Sequence, residues 1–463
     1  MKVLQGEYPA VRVAVTEPGA HHMEGWQTVE LGKSIVFNMK DLDDYRTKNW
    51  NSRIYDLMVL IAAVEFCDKT IRRPALGWIR SIELCLPVQD ANFEKWQSPE
   101  VGDALASALK FLTGDKWKIE FYKSRSPAGQ DIGRQSRLEF DDTSKTVTPF
   151  SDGLDSRAVT ALLTAGGRTD QLIRVRVGSK SDDRPNHKSR KAPFLKIPFK
   201  VTVGPGGIRE SSVRSRGFKF TLLSAIAAYL VGTRDIVMPE SGQGALGPSL
   251  VQTSHGYEDY RNHPRFFGKM ERFVAAILDH QVAYRLPRLW KTKGQTLSEF
   301  AALGVDPKEF QETRSCWQQN RNSSVNGKRR HCGICAACML RRLSFHAARV
   351  DEPKENYIWE NLHTHDFANG AAKGFNKITG AMEHYAIAGA LHLDHLADLR
   401  SSLVNRKRVS RHAWLLSQEL GLTHAEAERE LHGLLEQHEI EWKAFMKYLG
   451  PKSFIAQWLV SSR

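Results

Sequence analysis

Four of the six cysteines, Cys316, Cys332, Cys335 and Cys338, fall within 23 residues, with gaps of fifteen, two and two residues. Four thiolates complete the tetrahedral shell of zinc, and two-residue gaps let tight turns aim successive sulfurs at one ion. A four-thiolate site leaves no open coordination position, so its expected role is structural. An iron–sulfur cluster is the competing occupant, since it also takes four thiolates. Cys67 and Cys85 lie far away in apolar surroundings. This clustering points to a metal site rather than to a secreted disulfide scaffold.

A second candidate is the run Ser151, Asp152, Gly153, Leu154, Asp155, Ser156, which follows the strand-like Thr146–Phe150 and leads into a helix-like segment. A strand-to-helix junction offers backbone N–H groups and a helix N-terminus, which together bind phosphate. Gly153 permits close backbone approach, and the Ser151 and Ser156 hydroxyls can donate to phosphate oxygens. The chain has no Walker A loop, because Gln27 stands where Gly32, Lys33 and Ser34 would need a preceding glycine. The pairs His363/His365 and His392/His395 have metal-like spacing, but among 17 histidines such pairs arise by chance; surface or core roles are expected for them.

These residues need elements to hold them. Residues 1–137 mix strand-like runs (Val11–Val15, Ser34–Phe37, Trp78–Pro87) with helix-like Tyr55–Cys67 and Val101–Leu112, ending in the Gly/Pro/Ser-containing stretch Lys123–Gln135. Residues 138–352 alternate strands (Thr146–Phe150, Leu172–Val177, Phe194–Val203, Asp235–Met238) with helices, among them Ser215–Val231 and Phe266–His280. That alternation predicts an α/β fold with a doubly wound parallel sheet, in which ligands bind outside the carboxyl ends of strands. From residue 353 to 463 strand signals stop, and helices are expected over Ala381–Leu399, Ala413–Leu420, Thr423–Glu436 and Glu439–Leu449, with Thr423 as an N-cap.

The chain of 463 residues has 41% hydrophobic and 25% charged residues, which excludes a disordered or fibrous class. Its N-terminus lacks the apolar segment of a signal peptide, and its longest apolar runs are too short to span a bilayer. A cytoplasmic protein without membrane contact is expected. The net charge of +14 favours a polyanionic partner: nucleotide, nucleic acid or an acidic protein. Basic clusters at Arg184–Lys191, Lys328–Arg330 and Arg406–Arg411 read as solvated surface; none is interleaved with aromatic residues as a base-stacking platform would require.

Ser151–Ser156 resembles the SGGxDS pyrophosphate loop of the PP-loop ATP pyrophosphatases, with Asp152 in place of the first glycine. Aspartate tolerates left-handed backbone better than most residues, but its carboxylate beside phosphate needs an offsetting metal or Arg157. The later motifs narrow the resemblance. Thr313, Arg314, Ser315 and Cys316, then His331-to-Cys338 (HCGICAAC) and Arg341, resemble the 7-cyano-7-deazaguanine synthase (QueC) family. So do Arg214–Ser215–Arg216 ahead of an apolar helix, the segment Gly256–Arg261 (GYEDYR, departing at Glu258 and Tyr260), and Lys291–Thr292–Lys293–Gly294. The likeness spans roughly residues 145–345, and both flanks are extra. The longer plan, with its departing Met238–Gln243 loop, looks like the QueC-like proteins of bacterial anti-phage operons.

The resemblance implies an adenine nucleotide alpha hydrolase-like fold over 138–352 with a zinc-binding insertion, and an ATP-dependent, adenylate-forming C–N ligase. It implies ATP, Mg²⁺ and Zn²⁺ as cofactors. A deazaguanine carboxylate would be the small-molecule substrate, with ammonia or an amine of a partner protein from the same defence operon as acceptor. ATP phosphates would sit on residues 151–156, with Asp155 holding Mg²⁺. Lys291, Lys293 and Arg216 would stabilise pyrophosphate, Arg261 would orient the substrate carboxylate, Glu240 and Gln243 would read its ring, and His263 lies beside them. Two other readings compete: a tRNA-modifying PP-loop enzyme, which the basic clusters permit, and a non-catalytic scaffold whose loop has decayed at Asp152.

Overall fold

A computed structural model of the chain describes residues 9–461 apart from 21–22, 48, 75–76, 126–144, 166, 168–170, 179–193, 205–206, 252–255, 319–322 and 402. Most of the expected Lys123–Gln135 loop and the whole Arg184–Lys191 cluster lie outside the described residues. The strands are β1 (Val11–Thr16), β2 (Gln27–Glu30), β3 (Ile35–Phe37), β4 (Ser81–Val88), β5 (Lys116–Lys123), β6 (Thr146–Phe150), β7 (Leu172–Arg176), β8 (Phe199–Val201), β9 (Asp235–Val237) and β10 (Ala283–Arg285). The longer helices are α1 (Ser52–Thr70), α2 (Pro99–Thr113), α3 (Leu154–Thr164), α4 (Arg216–Val231), α5 (Pro264–Leu278) and α6 (Lys293–Ala301). They continue with α7 (Ala336–Ala348), α8 (Gly380–Asp398), α9 (Leu403–Leu420), α10 (His424–Leu449) and α11 (Phe454–Ser461).

The chain forms two compact units, each built from separated segments: 1–151, 170–238 and 253–285 in the first, and 152–169, 239–252 and 286–463 in the second. The first unit contains two parallel sheets, ordered β2-β1-β4-β5 and β10-β9-β6-β7. In the second sheet β7 lies on one side of β6, while β9 and β10 lie on the other, so the direction of winding reverses at β6. Such a reversal opens a crevice at the carboxyl ends of the strands. The expected strand over Phe194–Val203 does not join this sheet. The part of it that forms a strand, β8, pairs antiparallel with β3, where Phe199 meets Phe37 with ring centroids 5.9 Å apart.

A buried ionic cluster ties the two sheets' connecting segments together. Arg80 reaches Asp68 at 2.7 Å and Asp115 at 2.6 Å, and Arg73 reaches Asp115 at 2.8 Å. The second oxygen of Asp68 accepts the backbone N–H of Ser215, the residue before α4, at 2.7 Å. The unusual evenness of α1, which is buried on nearly every side, has the same origin: it runs through the interior of this unit.

The second unit is mainly helical, with one large core that draws together Cys332, Cys335, Cys338, Ile358, Trp359, Trp442, Phe445, Phe454 and Ile455. A smaller core joins Leu154 and Ala158 of α3 to Leu297 and Phe300 of α6 and Phe345 of α7. The sequence reading breaks the region after Thr423 into two helices; the structure has one, α10. No glycine or proline interrupts Gln437 and His438, and the buried series Leu431, Leu434, Leu435, His438, Glu441, Trp442 and Phe445 continues through them at helical spacing. Thr423 caps it in a capping box with Glu426. Helix α9 likewise starts ten residues before the expected Ala413, because the basic run Arg406–Arg411 is itself helical.

Candidate functional site

At the carboxyl end of β6 the chain turns through Ser151 and Asp152 into α3. Asp152 adopts φ +59°, the left-handed region that glycine reaches without strain. Its carboxylate accepts from Arg157 Nε at 2.6 Å, and Arg157 also reaches Glu309 at 3.3 Å. The negative charge that Asp152 adds to the loop is therefore matched by a cation one helical turn on. Gly153 is the N-cap of α3 and has no side chain with which to close the helix end. The first N–H groups of α3 carry a partial positive charge suited to an anion. At the neighbouring strand end a Cβ on Gly178 would lie 3.2 Å from the Ser151 carbonyl oxygen, so glycine lets these two strand ends approach.

Arg157 offsets the Asp152 charge, so removing it leaves that charge less compensated at the start of α3. On the ATP-binding reading proposed below, Arg157→Ala should raise the KM for ATP about tenfold, the effect of a charge-assisted bond worth about 1.4 kcal/mol. Asp152→Gly in the same chain should restore it. Initial-rate measurements of ATP turnover on the three proteins check this.

Asp155 and Lys293 are 138 residues apart, yet their side chains form an ion pair in the second unit. Burial alone would lower the Lys293 pKa, but the Asp155 and Glu240 carboxylates outweigh it and raise it. The other Asp155 oxygen, Oδ1, is buried without a hydrogen-bond partner among the described residues. Lys293 opens α6, whose N-cap Thr292 forms a capping box with Gln295. Lys291 is exposed, and its carbonyl accepts the N–H of Gly242 at 2.9 Å.

The 240–244 loop is shaped by two glycines. A Cβ on Gly244 would fall 2.2 Å from a Glu240 carboxylate oxygen, and one on Gly242 would fall 2.1 Å from the Leu289 carbonyl. Both amide ends of Gln243 are engaged: Oε1 accepts the Lys293 N–H at 2.8 Å, and Nε2 lies 2.7 Å from His438 Nδ1. The buried Gln243 thus holds the start of α6. His438 and Glu441, the latter accepting from the Thr292 hydroxyl at 2.5 Å, are residues that sequence reasoning missed. No local signal marks them, since they lie 195 and 149 residues from their partners.

In the first unit, Arg216 begins α4 and stacks over Phe220, its guanidinium carbon 4.9 Å from the ring centroid. Protein packed around its guanidinium, and then the nearby Arg261 cation, lower its pKa to about 10. Arg261 donates to Asp259 at 2.7 Å, and Arg214 approaches Asp259 at 3.3 Å. Burial works against ionising Asp259, but these two cations hold it below the usual carboxylate range. Two arginines thus flank the Asp259 carboxylate, and Arg216 lies near one of them, Arg261. His263 is buried as the N-cap of α5, its Nδ1 accepting from the Arg265 N–H at 3.2 Å. Gly256 and Tyr257 line an open hollow of about 400 Å³ with Trp78, Ile79, Lys110 and Gly114.

The four cysteine sulfurs all lie within 4.8 Å of one another. Tetrahedral zinc with Zn–S bonds near 2.3 Å requires S···S separations of ~3.8 Å, and Cys332 and Cys338 stand 3.8 Å apart. Backbone N–H groups of Cys332, Cys335 and Cys338 point at the sulfurs of Cys316, Cys332 and Cys335, at 3.2, 3.3 and 3.4 Å. Gly333, at φ +85°, makes the first turn. The thiols are therefore placed as zinc needs them, and the closed set fits a structural ion. Arg341 is buried beside them and binds Glu352, the Thr313 hydroxyl and the carbonyls of Phe310 and Gln311. It fastens the segment leading to Cys316 to α7.

The model of the family described as queuosine biosynthesis protein QueC matches residues 202–349. This part of the chain is QueC-like. A 7-cyano-7-deazaguanine synthase of Paracoccus denitrificans is 27% identical over 226 residues, 45% of this chain and 91% of the relative. Another from Aromatoleum aromaticum is 28% identical over 162 residues, 34% and 63% of the two chains. A third, from Cupriavidus taiwanensis, is 26% identical over 239 residues, 46% and 96%. No solved structure matches significantly. The QueC-like residues include Arg216, the 240–244 loop, Arg261, Lys293 and all four cysteines; Ser151–Ser156 precede them and the C-terminal helices follow. No helix among the described residues is long and apolar enough to cross a membrane.

Proposed function

We propose that the chain is an ATP-dependent C–N ligase that adenylates a 7-deazaguanine carboxylate, 7-carboxy-7-deazaguanine, and passes the acyl group to an amine. The observation that carries this reading is the half-buried Asp155–Lys293 pair beside the start of α3, where no side chain caps the helix. It joins a cation that can neutralise phosphate to a helix end that can bind it. The names and alignments of the synthases above support the substrate class.

In this reading ATP phosphates rest on Ser151, Asp152, Gly153, Leu154, Asp155 and Ser156. Mg²⁺, held through Asp155, whose Oδ1 has no hydrogen-bond partner among the described residues, would offset phosphate charge. The substrate carboxylate oxygen attacks the α-phosphorus, and the bond to the β-phosphate bridging oxygen breaks to release pyrophosphate. Lys293, and Lys291 from the surface, stabilise the departing charge. The amine nitrogen then attacks the acyl carbon, AMP leaves, a proton is lost, and an amide remains. Arg216 and Arg261 are proposed to recognise an anion, Arg261 taking the substrate carboxylate. Glu240 is proposed to read the ring, with Gln243 positioning α6 and His263 ordering the substrate segment.

We further propose a likeness to the QatC protein of the Qat anti-phage system, a cytoplasmic setting, and a partner protein as amine acceptor. The proposed division into an N-terminal α/β part (1–137), an ATP-binding, zinc-holding part (138–352) and a helical part (353–463) follows the sequence and cuts across the compact units.

Purified protein given ATP, Mg²⁺, ammonium and 7-carboxy-7-deazaguanine should yield AMP, pyrophosphate and the amide. AMP without a substrate-derived product counts against the proposed substrate. No turnover, with or without co-expressed partner, favours a scaffold. A deazaguanine-sized mass gain on a co-expressed protein, absent with Asp155→Ala, identifies the acceptor.

A further inference from the structure

We infer that His438, with Glu441, is a positioning residue for Lys293, so that the C-terminal helix α10 sets the ATP-handling ammonium. This rests on the function proposed above and goes beyond the QueC-like residues, since both lie past residue 349.

The hydrogen bonds have only one consistent direction. His438 Nε2 lies 2.9 Å from the Leu393 carbonyl oxygen, which can only accept, so Nε2 carries the ring proton. Nδ1 is then an acceptor, and the group 2.7 Å away must be the donating amide nitrogen of Gln243. That orientation turns Gln243 Oε1 toward the Lys293 N–H, which donates to it at 2.8 Å. The relay therefore runs Lys293 N–H to Gln243, Gln243 to His438, and His438 to Leu393. Gln243 is 4% exposed and His438 is fully buried, so water cannot replace a lost member.

A second strap fixes the adjacent residue. The Thr292 hydroxyl donates to Glu441 Oε1 while accepting the Gln295 N–H at 3.0 Å, and Gln437 also donates to Glu441 Oε1 at 3.0 Å. Gly294 leaves no slack: a Cβ there would lie 2.8 Å from the Ala347 Cβ and 3.0 Å from Glu441 Oε1. Residues 292–294 are thus held by α10 on one side, and the Lys293 side chain projects from that fixed turn to Asp155.

The test uses the full-length, zinc-loaded chain and two readouts, ATP turnover and hydrogen exchange over 291–296. Phe in place of His438 keeps the ring but removes the acceptor; Asn keeps an acceptor near the Nδ1 position. Misplacement of about 1 Å costs on the order of 10- to 100-fold in rate. His438→Phe should therefore lower kcat by that factor, leave the KM for ATP within about threefold, and speed exchange at 291–296. His438→Asn should recover most of both. Unchanged kcat and unchanged exchange in His438→Phe overturn the inference. If that variant does not fold, Glu441→Ala, which releases Thr292, is read for the same changes, and unchanged values there overturn it equally. If the wild-type chain turns over no ATP, the proposed function fails, while exchange at 291–296 still decides whether α10 holds this turn.

Discussion

Asp155→Ala lowers ATP turnover by about 10²- to 10³-fold, the loss that follows removal of one preorganised electrostatic group, and Lys293→Met does the same. The two side chains are paired in a setting where neither has much solvent, with 17% and 12% of their side chains exposed. Removing either leaves the other charge without this partner and, on the proposed reading, an empty position at the phosphates. In Asp155→Ala burial and the Arg341 cation act on Lys293 against Glu240 alone, so its pKa falls relative to the wild type. In the intact chain the pKa is raised, so the pair's stabilisation is present at neutral pH and is lost as pH rises through the folded value of Lys293. The double variant Asp155→Ala/Lys293→Met should be little slower than either single one, because paired groups act as a unit. Pyrophosphate release measured on all three proteins, with melting temperatures recorded alongside, checks this. A double variant slower than the singles by the product of their losses would mean that the residues act independently.

The second large effect concerns the cysteines. Metal analysis of the purified chain should find one zinc per chain, and Cys335→Ser should lose it. Structural zinc contributes on the order of 10 kcal/mol of apparent folding free energy, comparable with the whole stability of a typical domain. Here the loss should not stay local. Cys332, Cys335 and Cys338 share a core with Trp359, Trp442 and Phe454, and a Cβ on Gly389 of α8 would lie 2.9 Å from the Ala336 backbone nitrogen at the start of α7. Chelation at elevated temperature should therefore melt the C-terminal helices with the metal site, seen as a loss of helical circular dichroism. Iron and visible absorbance would reassign the site to an iron–sulfur cluster.

The parts legible in the sequence are those whose signal is local. Cysteine spacing announces the thiol cluster because its ligands lie within a few turns of chain, and the polar run Ser151–Ser156 announces a strand-to-helix junction for the same reason. Helix α4 is legible because its apolar residues follow one another at helical spacing. Lys293 is nominated by motif, but its pairing with Asp155, 138 residues away, has no local signal. The relay through Gln243 and His438 was invisible, since neither residue type nor spacing predicts a bond across 195 residues. The β3–β8 ribbon was misassigned because a short apolar run carries no information about its partner strand. The division of α10 failed differently: polar Gln437 and His438 look like a break, but His438 faces inward and is satisfied by Gln243 and Leu393.

The second unit borrows its first helix, α3, from the middle of the chain and receives the rest only after residue 239. Synthesis is directional, so α3 leaves the ribosome long before its packing partners exist. At about 5–20 residues per second, the 138 residues between Asp155 and Lys293 take roughly 7–28 s to make. During that interval Leu154 and Ala158 have no α6 to cover them, and nascent chains are open to chaperones at that segment. A chain whose translation stops before Lys293 therefore cannot form the ion pair at all.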